Sequence, residues 1–229
     1  FSIFMKKIIE KNKPDNFDNN EAINVGSNEV WQEKNITWWN TNPMEYDFSE
    51  EINFPKYSKE FYEEIDKRFF EISKLFLDYD KEPFDKMINE KELSKKNVLE
   101  VGVGSGSHAS LLSKYSKNFT GIDITEEAIK NTKRRFEIMK LYGNLIQMNA
   151  EKMDFPDSYF DFVWSWGVIH HSANTNDIIY EIGRVLKPQG RAVIMVYHRS
   201  FLFYYIIMLL KGMFNGNFFK NFSIHKTVQ

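Results

Sequence analysis

The spacing of apolar side chains changes along the chain. Residues Lys11–Glu29 are rich in Asn, Asp and Lys, which predicts a solvated arm. An aromatic segment without a regular period follows, made up of Trp31, Trp38, Trp39, Pro43, Tyr46 and Phe48. From Ser58 onward, apolar residues recur at steps of four and three, which predicts an amphipathic helix. The apolar face of that helix would consist of Phe61, Ile65, Phe69, Ile72 and Phe76.

Short apolar runs alternate with helical stretches after Lys96. Thr125 is the predicted N-cap of one helix, which should extend to about Leu141 with two acidic residues in its first turn. Another helix begins near Thr175 and should end before the turn signal Pro188-Gln189-Gly190. Strands that alternate with helices at this spacing predict an α/β fold with a doubly wound, mostly parallel sheet. The predicted strands are NVLEVGV, FTGIDI, LIQMN, FDFVWSW and RAVIMVY.

The first of these strands leads into a glycine loop, VLEVGVGSGSHAS. Gly102, Gly104 and Gly106 have no Cβ, so a ligand can lie against the backbone at the end of the sheet where such folds bind ligands. Dinucleotide-binding loops place the third glycine at a position that is Ser107 here. Glu100 favours the ammonium and sulfonium of S-adenosylmethionine, and it offers nothing to a pyrophosphate. The alternative is an ordinary strand-to-helix turn of an α/β protein.

A second acid, Asp123, ends the next predicted strand, 21 positions after Gly102. A carboxylate at this place can accept hydrogen bonds from both hydroxyls of a ribose. The alternative is that Asp123 caps the helix that starts at Thr125. The position at a strand end, after a glycine loop, favours the ribose role.

Composition and charge exclude several kinds of chemistry. The 229 residues are 42% hydrophobic, enough for one packed core, and 30 Lys and Arg stand against 32 Asp and Glu. Without a basic surplus, nucleic acid is a disfavoured partner. The chain has no cysteine, which excludes disulfides, thiolate catalysis and Cys-ligated metals, and is consistent with a reducing compartment.

No signal peptide is visible at the N-terminus. The longest apolar run, Phe201–Leu210, has about half the length that a bilayer crossing requires. These features predict a soluble cytoplasmic protein without a membrane span. The run Phe201–Leu210 suggests a hydrophobic methyl acceptor such as a quinone or a lipid-linked molecule, although a core-packing helix is the favoured interpretation.

Three stretches resemble the class I S-adenosylmethionine-dependent methyltransferases. They are VLEVGVGSGSHASLLSKYSKNFTGIDITEEAIKNTKRRF, MNAEKMDFPDSYFDFVWSWGVIHH and IGRVLKPQGRAVIMVYH, which occur in the family's order within about Val98–His198. They are most similar to the small-molecule group called type 11, which includes the ubiquinone and menaquinone C-methyltransferases. The resemblance implies a Rossmann-like core, S-adenosylmethionine as cofactor, and methyl transfer to a small-molecule acceptor at O, N or C.

The resemblance also assigns cofactor-binding roles. Glu100 and the three glycines match the loop around the methionine portion, where the family's acid holds the ammonium, often through water. Asp123 matches the ribose-binding acid, and Ile124 matches an apolar contact with adenine. The adenine amine is expected near Asn149, with Ala150 and Glu151 alongside. Ser165 and Trp166 should line the cleft near the transferred methyl group.

His170 and His171, in the sequence WGVIHH, are the candidate catalytic residues. A general base helps when the acceptor is a hydroxyl or an acidic carbon, and imidazole suits neutral pH. The alternatives are a hydrogen-bond donor to substrate or a purely structural role. No spacing of acids and histidines resembles a metal-ligand set.

Two further motifs have competing interpretations. The aromatics Trp38, Trp39 and Tyr46 either form a lid over cofactor or substrate or pack in the core, which is the commoner use. The sequence NPMEY resembles the box of amino-methylating DNA enzymes. It lies far from the fourth predicted strand, where that box would stand, so a DNA methylase is excluded.

The predicted organisation has three parts: an arm and aromatic segment over 1–57, a helical lead-in over 58–96, and the cofactor-binding core over 97–229. The family fold normally adds an antiparallel strand pair after the fifth strand, and too few residues remain for it. We therefore expect a chain cut at its C-terminus, with the fifth strand as an exposed edge. A dinucleotide-dependent oxidoreductase and a non-catalytic S-adenosylmethionine-binding protein are the alternative functions.

Overall fold

A computed structural model of the protein describes residues 28–42, 52–73 and 86–196. The chain divides into two compact units, Phe1–Met195 and Val196–Gln229, and every element described below lies in the first. Five strands form one sheet: β1 (Asn97–Val101), β2 (Asn118–Asp123), β3 (Asn144–Gln147), β4 (Phe160–Trp166) and β5 (Leu186–Met195).

The sheet has the order β3-β2-β1-β4-β5, and each neighbouring pair is parallel. The predicted doubly wound parallel sheet is therefore confirmed. The strand order reverses between β1 and β4, so the carboxyl ends of these two strands border the crevice in which such folds bind ligands.

Six helices accompany the strands in the described residues. They are α1 (Asn28–Thr41), α2 (Lys59–Ser73), α3 (Glu90–Leu93), α4 (Ser107–Tyr115), α5 (Glu126–Met139) and α6 (Thr175–Val185), and a 3₁₀ turn occupies Ile169–His171. The glycine loop connects β1 to α4. Thr125 caps α5 as predicted, because its hydroxyl accepts the Ala128 N–H at 3.4 Å.

Two apolar clusters pack on the sheet. Neighbouring residues of β1 alternate between them: Val98 belongs to the cluster with Phe162 and Trp164, and Leu99 to the cluster with Val163. This alternation follows from the two-residue period of a strand that is covered on both faces. The glycine loop is thus carried by a strand that is fixed from both sides.

The expectation of an arm ending at Glu29 and an irregular aromatic segment is wrong for residues 28–41, which form α1. This helix has no continuous apolar face, so periodicity could not reveal it. It is held instead by side-chain hydrogen bonds to distant loops, which are described below.

The start of β5 also differs from the prediction. The turn signal around Pro188 was expected to precede the strand, and it lies inside a strand that begins at Leu186. Leu186 pairs with Phe160 and Arg191 pairs with Phe162, so the residues between them bulge out of the ladder. The turn-forming residues therefore make a bulge, with Gln189 at φ +66°.

Several predicted features lie outside the described residues. They are Phe76, Phe48, residues 43–46 of NPMEY, the apolar run Phe201–Leu210 and the residues after it, which were expected to be too few for the antiparallel strands. Within the described residues, no helix has the length and apolar character needed to cross a membrane.

Candidate functional site

The three glycines of the loop after β1 have different surroundings. Gly102 has φ +82°, and a Cβ there would lie 2.3 Å from Cγ2 of Val168. Gly106 has φ +82° as the residue before α4, and its Cβ would lie 3.0 Å from Cγ2 of Thr132. A Cβ at Gly104 would meet no atom within 4 Å. The loop is therefore packed against the protein at both ends and open in its middle.

Asp123, at the end of β2, connects this loop to α5. Its Oδ2 accepts the Gly104 N–H at 3.1 Å, and its Oδ1 accepts the backbone N–H and the hydroxyl of Thr125 at 2.9 and 2.8 Å. Burial raises the pKa of Asp123, and these hydrogen bonds oppose the rise. Thr125 is the cap of α5, and Asp123 supports that cap. Each oxygen of a carboxylate retains capacity for a further donor.

Glu100, in β1, is a buried carboxyl group with an unsatisfied atom. Its side chain is 2% exposed, and its Oε2 has no hydrogen-bond partner. Burial, with the charge of Asp123 added to it, raises the pKa of Glu100 well above its ordinary value, and Arg135 opposes this. A cationic ligand group beside Glu100 would lower the pKa and satisfy the free oxygen.

The residues predicted to contact adenine follow β2 and β3. Asn149 is half-buried, and its Oδ1 accepts the Glu151 N–H at 2.9 Å and the Gln32 Nε2 of α1 at 3.4 Å. Ala150 packs against the apolar cluster of Leu99. Ile124 is half-buried beside Asp123.

The carboxylate of Glu151 binds the loop that follows the 3₁₀ turn. It accepts hydrogen bonds from the hydroxyl of Ser172 and, at 2.9 Å, from the Asn174 N–H. Glu151 thus connects the segment after β3 with the segment after β4. A direct contact between this carboxylate and a ligand stays a prediction.

Ser165 lies inside the sheet. It is fully buried, and its hydroxyl donates to the Val101 carbonyl at 3.2 Å. The structure does not bring this hydroxyl to the surface of the crevice, so its expected place near the transferred methyl stays a prediction. Trp166 is half-buried and stacks on Trp164, with ring centroids 5.5 Å apart and an interplanar angle of 8°.

His170 and His171 form the 3₁₀ turn beyond the carboxyl end of β4, as the strand assignment predicted. Their ring centroids are 4.1 Å apart. Burial lowers the pKa of both, and for His171 burial and the charge of His170 lower it to about 4. The lowered pKa values favour the neutral imidazoles, which keep a nitrogen lone pair, and make each ring a weaker base than free imidazole.

Helix α1 supplies Gln32 and Asn35, which sequence reasoning missed, beside Trp39, which it had named as part of a candidate lid. Gln32 Oε1 accepts the Ala173 N–H at 3.2 Å, the Asn35 amide donates to the His171 carbonyl, and the Trp39 ring lies edge-on to the His171 ring at 5.1 Å. These side chains share one helix face by their spacing of three and four. That spacing was visible in the sequence, but the residues are mostly polar. Whether Trp38 and Trp39 act as a lid stays a prediction.

His108, in α4, lies beside the site among aromatic rings. It is 5% exposed, its Nε2 has no hydrogen-bond partner, and burial lowers its pKa to about 3. The ring centroids of Trp164 and Phe69 are 5.0 and 5.1 Å from its own.

The described residues contain no group of three or more His, Asp or Glu that could hold a metal ion.

Residues 99–194 match the family described as "Methyltransferase domain". This segment, 96 of the 229 residues, is similar to that family. It contains the glycine loop, the acids at the ends of β1 and β2, and both histidines of the 3₁₀ turn.

Three curated relatives are similar to part of this chain. A fatty-acid O-methyltransferase of Mycolicibacterium smegmatis is 34% identical over 43% of this chain and 36% of its own length. A ubiquinone/menaquinone biosynthesis C-methyltransferase of Rickettsia bellii is 30% identical over 50% of each chain. A phosphatidylethanolamine N-methyltransferase of Cereibacter sphaeroides is 35% identical over 43% of this chain and 49% of its own. The chain thus spans half or less of the length of these relatives.

Proposed function

We propose that this protein is an S-adenosylmethionine-dependent methyltransferase that transfers a methyl group to a small-molecule acceptor. The observation that carries the proposal is the unsatisfied, buried Oε2 of Glu100 at the base of an open glycine loop. Such an atom is costly unless a ligand donates to it, and the ammonium of the methionine portion is a suitable donor. The methyltransferase domain supports the same cofactor.

The residues around the crevice fit the other parts of this cofactor. The open face at Gly104 accommodates a chain that lies against the backbone. Asp123 ends the adjacent strand with acceptor capacity for ribose hydroxyls. The side chains of Ile124 and Ala150 are apolar, and Asn149 carries an amide, which together suit an adenine ring and its amine.

When bound, the cofactor supplies a methyl group that its sulfonium already activates. The protein residues orient the acceptor, exclude water and remove a proton. We assign the removal of this proton to His170 or His171, since both lie in the 3₁₀ turn beyond the carboxyl end of β4. Helix α1, which contacts this turn through Asn35 and Trp39, would exclude water from that side.

The acceptor is proposed only as a class. The names of the three relatives specify methylation at O, C and N, so the shared domain does not select the acceptor atom. The near balance of 30 basic and 32 acidic residues supports a small molecule over a nucleic acid. We place the protein in the cytoplasm, a reducing compartment with which the absence of cysteine from the sequence agrees.

Isothermal titration calorimetry tests the proposal. S-adenosylmethionine and its demethylated product should both bind the full 229-residue chain, and NAD and NADP should not. Binding of a dinucleotide instead would establish the oxidoreductase alternative. A cell extract with labelled methyl donor, followed by mass identification of the product, then identifies the acceptor. Cofactor binding without transfer to any acceptor would establish the non-catalytic alternative.

A further inference from the structure

We propose that Arg135 and Asp66 form a positioning pair that holds the glycine loop in its ligand-binding shape. Asp66 lies in α2, which precedes the methyltransferase domain in the sequence. Helix α2 would then be part of the cofactor site, although it need not touch the cofactor. This inference rests on the proposed function and names a residue pair outside the glycine loop that the function requires.

Arg135, in α5, contacts the glycine loop with its guanidinium. Its side chain is 0% exposed, and its Nη1 donates to the Ser105 carbonyl at 3.1 Å and approaches the Ser107 hydroxyl at 3.4 Å. Both residues adjoin Gly106, where an added Cβ would lie 3.2 Å from Cδ of Arg135. One guanidinium therefore fixes the direction of a carbonyl in the loop and fills the space behind it.

The counter-charge of Arg135 comes from α2. Its Nη2 pairs with the carboxylate of Asp66, and its guanidinium lies 5.0 Å from the centroid of the Tyr62 ring. Tyr62 also donates its hydroxyl to Asn131 Oδ1 at 3.0 Å, which fixes α2 against α5. Among the described residues, Asp66 is the acid with which Arg135 forms an ion pair. Burial raises the pKa of Asp66, and the guanidinium opposes that rise.

The Arg135–Asp66 pair matters for the glycine loop because side chains hold two backbone groups in the middle of that loop. The Gly104 N–H donates to Asp123 and the Ser105 carbonyl accepts from Arg135, so the peptide groups on both sides of the Gly104–Ser105 peptide are held by side chains. These contacts maintain the left-handed backbone of Gly104 and Gly106. Without Asp66, a fully buried cation would lack its partner, and Arg135 would have to move towards water. The Ser105 carbonyl would then be released.

The test compares two carboxylate-to-amide substitutions in the same helix. Asp66→Asn removes the counter-charge of Arg135. Glu64→Gln breaks the Arg68–Glu64 ion pair, whose atoms are 2.7 Å apart and which joins two residues of α2. We expect Asp66→Asn to weaken binding of the demethylated cofactor product by tenfold or more in calorimetry, and Glu64→Gln to change it less than twofold.

Amide signals of the loop glycines provide the readout that a merely structural pair would not change. In ¹⁵N-labelled protein, the signals of Gly102, Gly104 and Gly106 should move in Asp66→Asn and stay in place in Glu64→Gln. Unmoved glycine signals together with unchanged affinity in folded Asp66→Asn would overturn the inference. These signals are measured without cofactor, so they decide it even if the wild-type chain binds no S-adenosylmethionine, a result that would overturn the proposed function.

Arg135→Lys keeps the inference testable if Asp66→Asn does not fold. Lysine retains a charge but cannot form the planar, multiple contacts that join Ser105, Ser107 and Asp66. In Arg135→Lys the glycine signals should move and the affinity for the demethylated cofactor product should fall. Both changes should be smaller than in Arg135→Met. Equal affinity and unmoved signals in folded Arg135→Lys would contradict a positioning role.

Discussion

The backbone N–H of Gly104 donates to Oδ2 of Asp123 at 3.1 Å, which joins the loop after β1 to the end of β2. The same carboxylate holds Thr125, the cap of α5. The Asp123 side chain thus binds both the glycine loop and the start of α5, and each of its oxygens can still accept a further hydrogen bond. The ribose and helix-cap interpretations of Asp123 are compatible, because the protein contacts use only part of that capacity.

Asp123→Ala should weaken cofactor binding by tenfold or more. The substitution removes an ionised acceptor, and hydrogen bonds to charged groups contribute about 1.5–3 kcal/mol each. The measurement is calorimetric titration with the demethylated cofactor product.

Asp161→Ala is the matched control for Asp123→Ala. Asp161 likewise accepts a backbone N–H, that of Asn97 at 2.8 Å, and it pairs with Lys187 at 2.9 Å. Asp161 lies at the opposite end of the sheet from the glycine loop. Asp161→Ala should therefore lower the melting temperature and leave cofactor affinity unchanged. Equal affinity losses in the two variants would show that Asp123 acts only through fold stability.

Alanine should act mainly on stability at Gly102 and mainly on cofactor affinity at Gly104. Gly102→Ala places a Cβ 2.3 Å from Val168 in a left-handed backbone, so the melting temperature should fall by several degrees. Gly104→Ala has free space around its Cβ and should cost only about 1 kcal/mol of stability for the left-handed conformation. Its methyl group would occupy the proposed ligand face, so affinity should fall strongly.

Val168→Ala serves as the internal check on the Gly102 prediction. It removes the two γ-carbons that a Cβ at residue 102 would meet at 2.3 and 2.6 Å. The double variant should recover part of the stability lost in Gly102→Ala. No recovery would show that backbone strain, together with the 2.9 Å contact to the remaining Cβ of residue 168, outweighs the contacts with the two γ-carbons.

His108 should make the protein less stable in acid. Its pKa is about 3 in the folded chain against the ordinary 6.5, so below pH 6.5 the unfolded chain binds a proton that the folded chain does not. The free energy of unfolding should therefore decrease by about 2 kcal/mol between pH 7 and pH 5 from this residue alone. Urea titrations at both pH values measure the decrease.

His108→Phe should remove this contribution, because a phenyl ring suits the aromatic surroundings and does not titrate. The difference in unfolding free energy between variant and wild type should grow in favour of the variant as the pH falls from 6.5 towards 3. A difference that is independent of pH would contradict the buried, neutral state of His108.

If one histidine of the 3₁₀ turn is the general base, its Gln variant should lose methyl transfer by about a hundredfold or more. Cofactor affinity should stay within twofold of wild type, and the Gln variant of the other histidine should lose much less. Rates under cofactor saturation, measured for His170→Gln and His171→Gln, decide between them. Small rate losses in both would leave the pair a structural role.

The sequence predicted the elements whose side chains are buried in regular periods. β1 and β4 are apolar because both faces of the sheet are covered, and the glycine loop has a recognisable spacing. Helix α1 escaped prediction because Gln32 and Asn35 bind it to the loops after β3 and β4, and polar side chains at helical spacing give no apolar signal. Arg135 escaped because its partner lies 69 positions away, a relation that no local pattern records.

The Asp66–Arg135 pair has a consequence for how this protein can be divided. The family match begins at residue 99, inside β1, and Asp66 and Tyr62 precede it. A gene fragment trimmed to the match would leave a charged side chain in the protein interior without its neighbour, and would lose two residues of the central strand. Chimeras and minimal versions of this domain should therefore begin before α2, at the turn around Ser58.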